Sequence, residues 1–147
     1  MATEICAICG EHASEHMTKS VPLTYKGTTF YIDQPGHWCG ACGEGILEPE
    51  DGKAVQKEIQ HNKSQIDGIL TPDEVKFIRE MLNISQKEAS LRFGGGINAF
   101  NRYEQGVTPL PKPLSQLLVI LKNHPDQINE IPPTNINNED HDRVSHS

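Results

Sequence analysis

The stretch that decides the fold is SQKEASLRFGGGINAFNRYEQG, running from Ser85 to Gly106. Ser85 can offer its hydroxyl to the free N–H groups of a starting helix, and Glu88 three residues on completes a capping-box pattern. That helix is expected over Ser85–Phe93, ending at Gly94-Gly95-Gly96. A second short helix should follow from about Asn98 to Gln105 and halt at Gly106. Two helices joined by a tight glycine turn form the geometry that sets the second helix in the major groove of DNA.

The chemistry of that second helix fits such a role. Asn98 and Arg102 stand at i and i+4 and so project from one face. Asn can pair bidentately with adenine and Arg with guanine, each pairing discriminating by roughly 1–3 kcal/mol. Both have competing uses: Asn98 as a helix cap, and Arg102 as the surface partner of a carboxylate such as Glu88. Phe100 and Tyr103 fall on the opposite side and are expected in the core. Gln86 at the start of the first helix, with Lys87 and Asn101, is placed to meet phosphates, and Lys63 could add a further backbone contact. The glycine triplet follows a helix and lacks a Gly-Lys-Ser/Thr sequence, so it is no phosphate loop. It should bring two helices close.

Working outward, Thr71-Pro72-Asp73-Glu74 is another capping box with Pro at the first helical position. Val75, Ile78 and Leu82 then share a face, with Phe77 and Met81 beside them, until Asn83-Ile84 breaks the helix. Beyond Pro109–Pro113, Leu114, Leu117, Leu118 and Leu121 mark a strongly apolar helix that His124-Pro125 ends, and Gln127–Ile131 can add one turn. These leucines suit both the core and a dimer interface. Residues 69–131 thus read as an all-α, five-helix unit. Residues 132–147 hold only Ile136 and Val144 as large aliphatics and are expected to be disordered.

The N-terminal part reads differently. Val21, Leu23 and Tyr25 alternate with polar neighbours, then Phe30 and Ile32 do so, with Lys26-Gly27 as a two-residue turn. Cys6-Ala7-Ile8-Cys9-Gly10 and Cys39-Gly40-Ala41-Cys42-Gly43 are one knuckle written twice, 29 residues apart. Four thiolates fill a tetrahedral zinc and leave no position for water, which makes the metal structural. So small a segment has little core of its own, and structural zinc contributes on the order of 10 kcal/mol to folding. A rubredoxin-like iron centre shares this layout and would colour the protein red. A redox Cys-x-x-Cys would need a thioredoxin-like βαβ unit, which is absent. His12, His16 and His37 could substitute as ligands, though four cysteines already suffice. Residues 49–67 read as a weak, exposed helix that carries the chain from residues 1–68, the zinc-binding unit, into residues 69–131. The fold class is therefore α+β.

Charge and length set the partners. The 147 residues carry a net charge of −7, unevenly spread. Residues 1–68 hold five Lys or Arg against ten Asp or Glu, residues 69–124 seven against five, and residues 125–147 one against five. Only the helix-turn-helix segment is positive, and DNA attraction depends on local charge. No run approaches the roughly 18 apolar residues of a membrane span, and the first residues lack a secretory pattern, so a cytoplasmic, metal-rather-than-disulfide setting is expected. No nucleophile–base pair or open metal site suggests an enzyme.

The run Leu82 to Ser90, then Phe93 to Phe100, then Arg102 to Gly106, preceded by the two cysteine knuckles, resembles the MqsA (YgiT) antitoxins, members of the wider Xre/Cro-type helix-turn-helix class. The resemblance covers residues 1 to about 131; the residues between the knuckles match loosely. It implies a zinc domain, with Cys6, Cys9, Cys39 and Cys42 as ligands, that engages a toxin, typically an mRNA-cleaving ribonuclease. It also implies a C-terminal domain that dimerises and binds a palindromic operator in its own promoter, reading bases through Asn98 and Arg102. A free-standing zinc-containing transcriptional regulator is the alternative, and a toxin gene beside this one would decide between them.

Overall fold

The computed structural model describes residues 3–133. From residue 134 onward, the tail expected to be disordered lies outside the described residues.

The N-terminal half is built on a long hairpin. Strand β1 spans Ser14–Tyr25 and β2 spans Thr28–Cys39, paired antiparallel so that Val21 faces Ile32 and Ser14 faces Cys39. The expected turn forms: Lys26 and Gly27 both take positive φ, 50° and 82°, matching the twist of a two-residue hairpin. The strands run much further than the alternation of apolar residues announced. Pro22 and Pro35 look like interruptions, but the sheet order is β1-β2-β3, and β1 is an edge where a missing N–H costs no ladder bond. The third strand, β3, Gly45–Ile46, covers only His37 and Trp38, so Pro35 meets no second neighbour. A two-residue strand carries no periodicity and was not foreseen.

Helix α1, Pro49–Asp67, is less exposed than its thin apolar stripe suggests. It lies against β2 and buries Asp51, Val55 and Ser64. Its fastenings are largely polar. Near its start, the Gln34 amide donates to the Asp51 carbonyl at 2.9 Å, and His16 Nε2 lies 2.8 Å from Asp51 Oδ1. At its end, the Tyr25 hydroxyl donates to Asp67 Oδ2 at 2.8 Å and Lys26 Nζ to Oδ1 at 2.6 Å. Hydrophobic periodicity could not reveal such a joint.

The C-terminal half contains α2 (Pro72–Met81), α3 (Gln86–Phe93), α4 (Ala99–Gln105), α5 (Lys112–Asn123) and a 3-10 helix (Pro125–Glu130) as the fifth member. The box at Thr71 closes both ways: its hydroxyl accepts from the Glu74 N–H, and its own N–H donates to the Glu74 carboxylate. The one at Ser85 closes only halfway. Ser85 Oγ accepts from the Glu88 N–H, but the Glu88 carboxylate is taken by Arg92 one turn on. Val75, Ile78, Leu82, Phe100, Tyr103, Leu118 and Leu121 are buried in one core. Phe77 and Met81 do not join it. They point outward, Phe77 with 58 % of its surface exposed, since the face set by Val75, Ile78 and Leu82 already fills the contact with α4 and α5.

Helix α1 also touches the helical half. Lys57 Nζ pairs with Asp73 at 2.7 Å, and the Gln56 amide donates to the Gln105 carbonyl at 3.3 Å. Gly106, which caps α4 at φ 78°, is pressed on α1 so closely that an added Cβ would stand 2.7 Å from the Lys57 Cα.

Candidate metal centre and nucleic-acid face

The two knuckles close on each other as a pair. In each, the carbonyl of the first cysteine accepts the N–H of the glycine after the second, at 2.9 Å for both Gly10 and Gly43. Those glycines take φ of 83° and 79°, which lets the chain double back beneath the sulfurs. The long hairpin delivers the second knuckle to the first, because Cys39 ends β2 and the Gly40 N–H donates to the Ala13 carbonyl. Cys6 Sγ then lies 3.8 Å from Cys42 Sγ, and Cys9 Sγ 3.7 Å from Cys39 Sγ. These separations are far too long for disulfides. Each is close to the roughly 3.8 Å between neighbouring sulfurs of a tetrahedral ion bound at about 2.3 Å, and all four sulfurs lie within 4.8 Å of one another.

The electrostatics agree. The Cys42 and Ala41 N–H groups both donate to Cys39 Sγ, and the Cys42 N–H is the largest influence holding that thiol down to about 6. At Cys42 itself the Glu44 N–H pulls downward, but burial and the neighbouring thiols outweigh it and push the thiol up to about 12. Thiolates so close together repel unless a cation lies among them, which a closed four-sulfur metal site supplies. The histidines do not join this set. His12 Nδ1 lies 3.1 Å from the Thr3 hydroxyl, while His16 and His37 gather around Asp51. That second cluster was missed, because its members are scattered across three elements with no spacing to announce them.

On the helical side, Asn98 at the N-cap of α4 and Arg102 within it are exposed, while Phe100, Tyr103 and Glu104 are buried. Their competing uses are not taken up. Asn98 occupies the N-cap position but makes no side-chain cap bond. Glu88 pairs with Arg92, whose guanidinium also donates to the Ile128 and Ile131 carbonyls, so Arg102 has no ion-pair partner among the described residues. The glycine triplet takes φ of 87°, 95° and 94° in succession, and a Cβ on Gly95 would meet Ala99 at 3.0 Å and the Tyr103 hydroxyl at 3.2 Å. The triplet is thus a backbone requirement and, at Gly95, a close approach onto α4.

Helix α4 is braced from below by a network that the sequence reading did not find. The Glu104 side chain, 3 % exposed, accepts from Arg79 Nε at 2.6 Å and from Arg79 Nη2 at 3.1 Å, and Arg79 Nη1 donates to the Ile84 carbonyl. Glu104 raises the Arg79 pKa further above its ordinary value. The Gln86 amide donates to the same carboxylate at 3.0 Å, and the Asn101 amide reaches the Gln86 oxygen at 3.4 Å. Gln86 is accordingly half-buried, with Asn101 exposed beside it and Lys87 fully outward. Lys63 lies elsewhere, its ammonium 5.1 Å from the centre of the Tyr25 ring on the hairpin.

This combination of a four-cysteine hairpin module and a glycine-triplet helix-turn-helix finds a counterpart among known proteins. Residues 4–132 match the family model described as the antitoxin component of a bacterial toxin-antitoxin system, MqsA. The chain belongs to the MqsA antitoxin family. Antitoxin MqsA of Escherichia coli strain K12 is 33 % identical over 129 residues, covering 86 % of this chain and 98 % of that protein. As a member of the family this chain is an α+β protein whose four cysteines lie within metal-binding distance of one another. Among the described residues, no helix is long and apolar enough to cross a membrane.

Proposed function

We propose that this antitoxin neutralises a toxin protein by binding it, the toxin being an mRNA-cleaving ribonuclease, and represses its own operon as a homodimer on a palindromic operator. In this reading residues 1–68 hold a structural zinc through Cys6, Cys9, Cys39 and Cys42 and engage the toxin. Residues 69–131 dimerise and bind DNA, with two reading helices set about one helical turn, near 34 Å, apart. The protein is a regulator, working in the cytoplasm, and not an enzyme.

The observation that carries the DNA half is the state of Asn98, at the N-cap of α4, and Arg102 within it: both are exposed, Asn98 makes no side-chain cap bond, and Arg102 has no ion-pair partner among the described residues. Asn98 then reads adenine and Arg102 guanine in neighbouring positions. Lys87, fully outward, contacts phosphate, and Gln86 and Asn101, bonded to Glu104 and to each other, each have a second amide N–H to offer the same backbone. The exposed Val119 and Ile120 on α5 offer apolar surface for the dimer. A closed, all-sulfur site supports a structural zinc, and a colourless purified protein would separate it from the red iron centre that shares this layout.

The test is operator binding measured for the wild type, Asn98→Ala and Arg102→Ala, beside rescue of growth against the toxin. Each substitution should weaken specific binding by roughly 1–3 kcal/mol, about 5- to 150-fold, and leave toxin rescue intact. Unchanged operator affinity in Arg102→Ala would remove α4 from the DNA site.

A further inference from the structure

We infer that His16, His37 and Asp51 form a second metal site, suited to a divalent ion of the zinc class, that clamps the first turn of α1 to the hairpin. The three side chains come from β1, β2 and α1, and their ligand atoms all lie within 4.8 Å of one another. The Asp51 carboxylate is held in place: Oδ2 accepts the Glu48 N–H at 2.9 Å, leaving Oδ1 facing His16 Nε2 at 2.8 Å. An ion taking the place of the proton between them, with bonds of about 2.0–2.1 Å, requires that gap to open only to about 3.3 Å.

A plain His16–Asp51 pair would need no third member. Yet the His37 ring sits edge-on to the His16 ring with centroids 4.8 Å apart, bringing a second imidazole to the same carboxylate. Two protonated imidazoles at that distance repel, whereas two neutral ones beside a carboxylate are the donor set that a transition metal takes. Each ring nitrogen of His37 also has a carboxylate near it, Glu48 at 3.0 Å from Nε2 and Glu4 at 3.6 Å from Nδ1. With Nδ1 on the ion, Nε2 keeps its hydrogen bond to Glu48, the arrangement that orients metal-bound histidines. His16 is half exposed, so the fourth position opens to water. Two nitrogens and one oxygen favour zinc, copper or nickel over calcium or magnesium, which seek oxygen-rich shells.

The site is separate from the cysteine cluster and its loading should be readable separately. The full-length chain, purified and dialysed against buffered zinc, should carry two zinc ions by elemental analysis, and His16→Gln should carry one. Cobalt added to a chain whose cysteine site already holds zinc should give weak visible absorption without sulfur-to-metal charge-transfer bands, and His16→Gln should give none. In the wild type, added zinc beyond one ion per chain should raise the unfolding midpoint, because it binds only the folded hairpin–α1 joint. A wild-type chain that stops at one zinc, or a His16→Gln chain that still takes two, overturns the assignment.

Discussion

The contact between α1 and the end of α4 can be weighed by comparing two glycines of the same kind. Gly68 and Gly106 both cap a helix in the left-handed region, at φ 73° and 78°. Alanine in that conformation costs roughly 1–2 kcal/mol. At Gly68 the nearest atom to a new methyl is Lys112 Nζ at 4.0 Å, the movable end of a flexible side chain. At Gly106 it is the Lys57 Cα at 2.7 Å, with the Gln56 carbonyl at 3.1 Å, and backbone of a packed helix cannot rotate aside. Overpacking of that kind adds about 1–3 kcal/mol. Urea unfolding at fixed zinc should therefore show a loss of about 1–2 kcal/mol for Gly68→Ala and about 2–5 kcal/mol for Gly106→Ala. Equal losses for the two variants would refute a tight seat of α4 on α1.

Glu104→Ala should cost about 3–5 kcal/mol, because it strands the Arg79 guanidinium in a largely buried place; thermal unfolding measures the loss, and operator affinity should fall with it as α4 loses its brace. Cys39→Ser, or removal of the metal by a chelator, should unfold the cysteine knuckles while residues 69–131 keep their protection in hydrogen exchange; loss of protection throughout the chain would mean that the halves fold as one. The Asp67 carboxyl is held below its usual range first by the Lys26 ammonium and then by the Tyr25 hydroxyl. Its contribution to stability is therefore complete above the ordinary carboxylate pKa of about 3.9 and is lost as pH falls through the lowered folded value. Asp67→Asn should accordingly destabilise the chain at neutral pH and flatten the acid limb of its stability profile.

The helix-turn-helix was legible because its signals are local: a capping residue at Thr71 and at Ser85, three glycines, and Gly106 as a stop. The cysteine knuckles were legible for the same reason, since spacing alone tells which sulfurs can share an ion. What escaped depends on contacts between distant elements. Pro22 and Pro35 concealed the length of the hairpin, since only the sheet order reveals that neither breaks a needed bond. Helix α1 offered a thin apolar stripe because carboxylates and amides fasten it. Arg79 and Glu104, 25 residues apart, have no spacing that announces their pairing, and only the fold brings them together under α4. Phe77 and Met81 show the converse, an apolar pair at helical spacing that faces solvent.

The way α1 is held to the hairpin has a bearing on how the molecule can open. A seam of hydrophobic side chains, once parted, would lay bare a sticky surface and invite aggregation. Here the latches are Asp51 and Asp67 with their hydroxyl, amide and cationic mates, groups that water solvates readily. Parting the seam would therefore present mostly polar groups to water, with Val55 the one buried aliphatic side chain that α1 contributes.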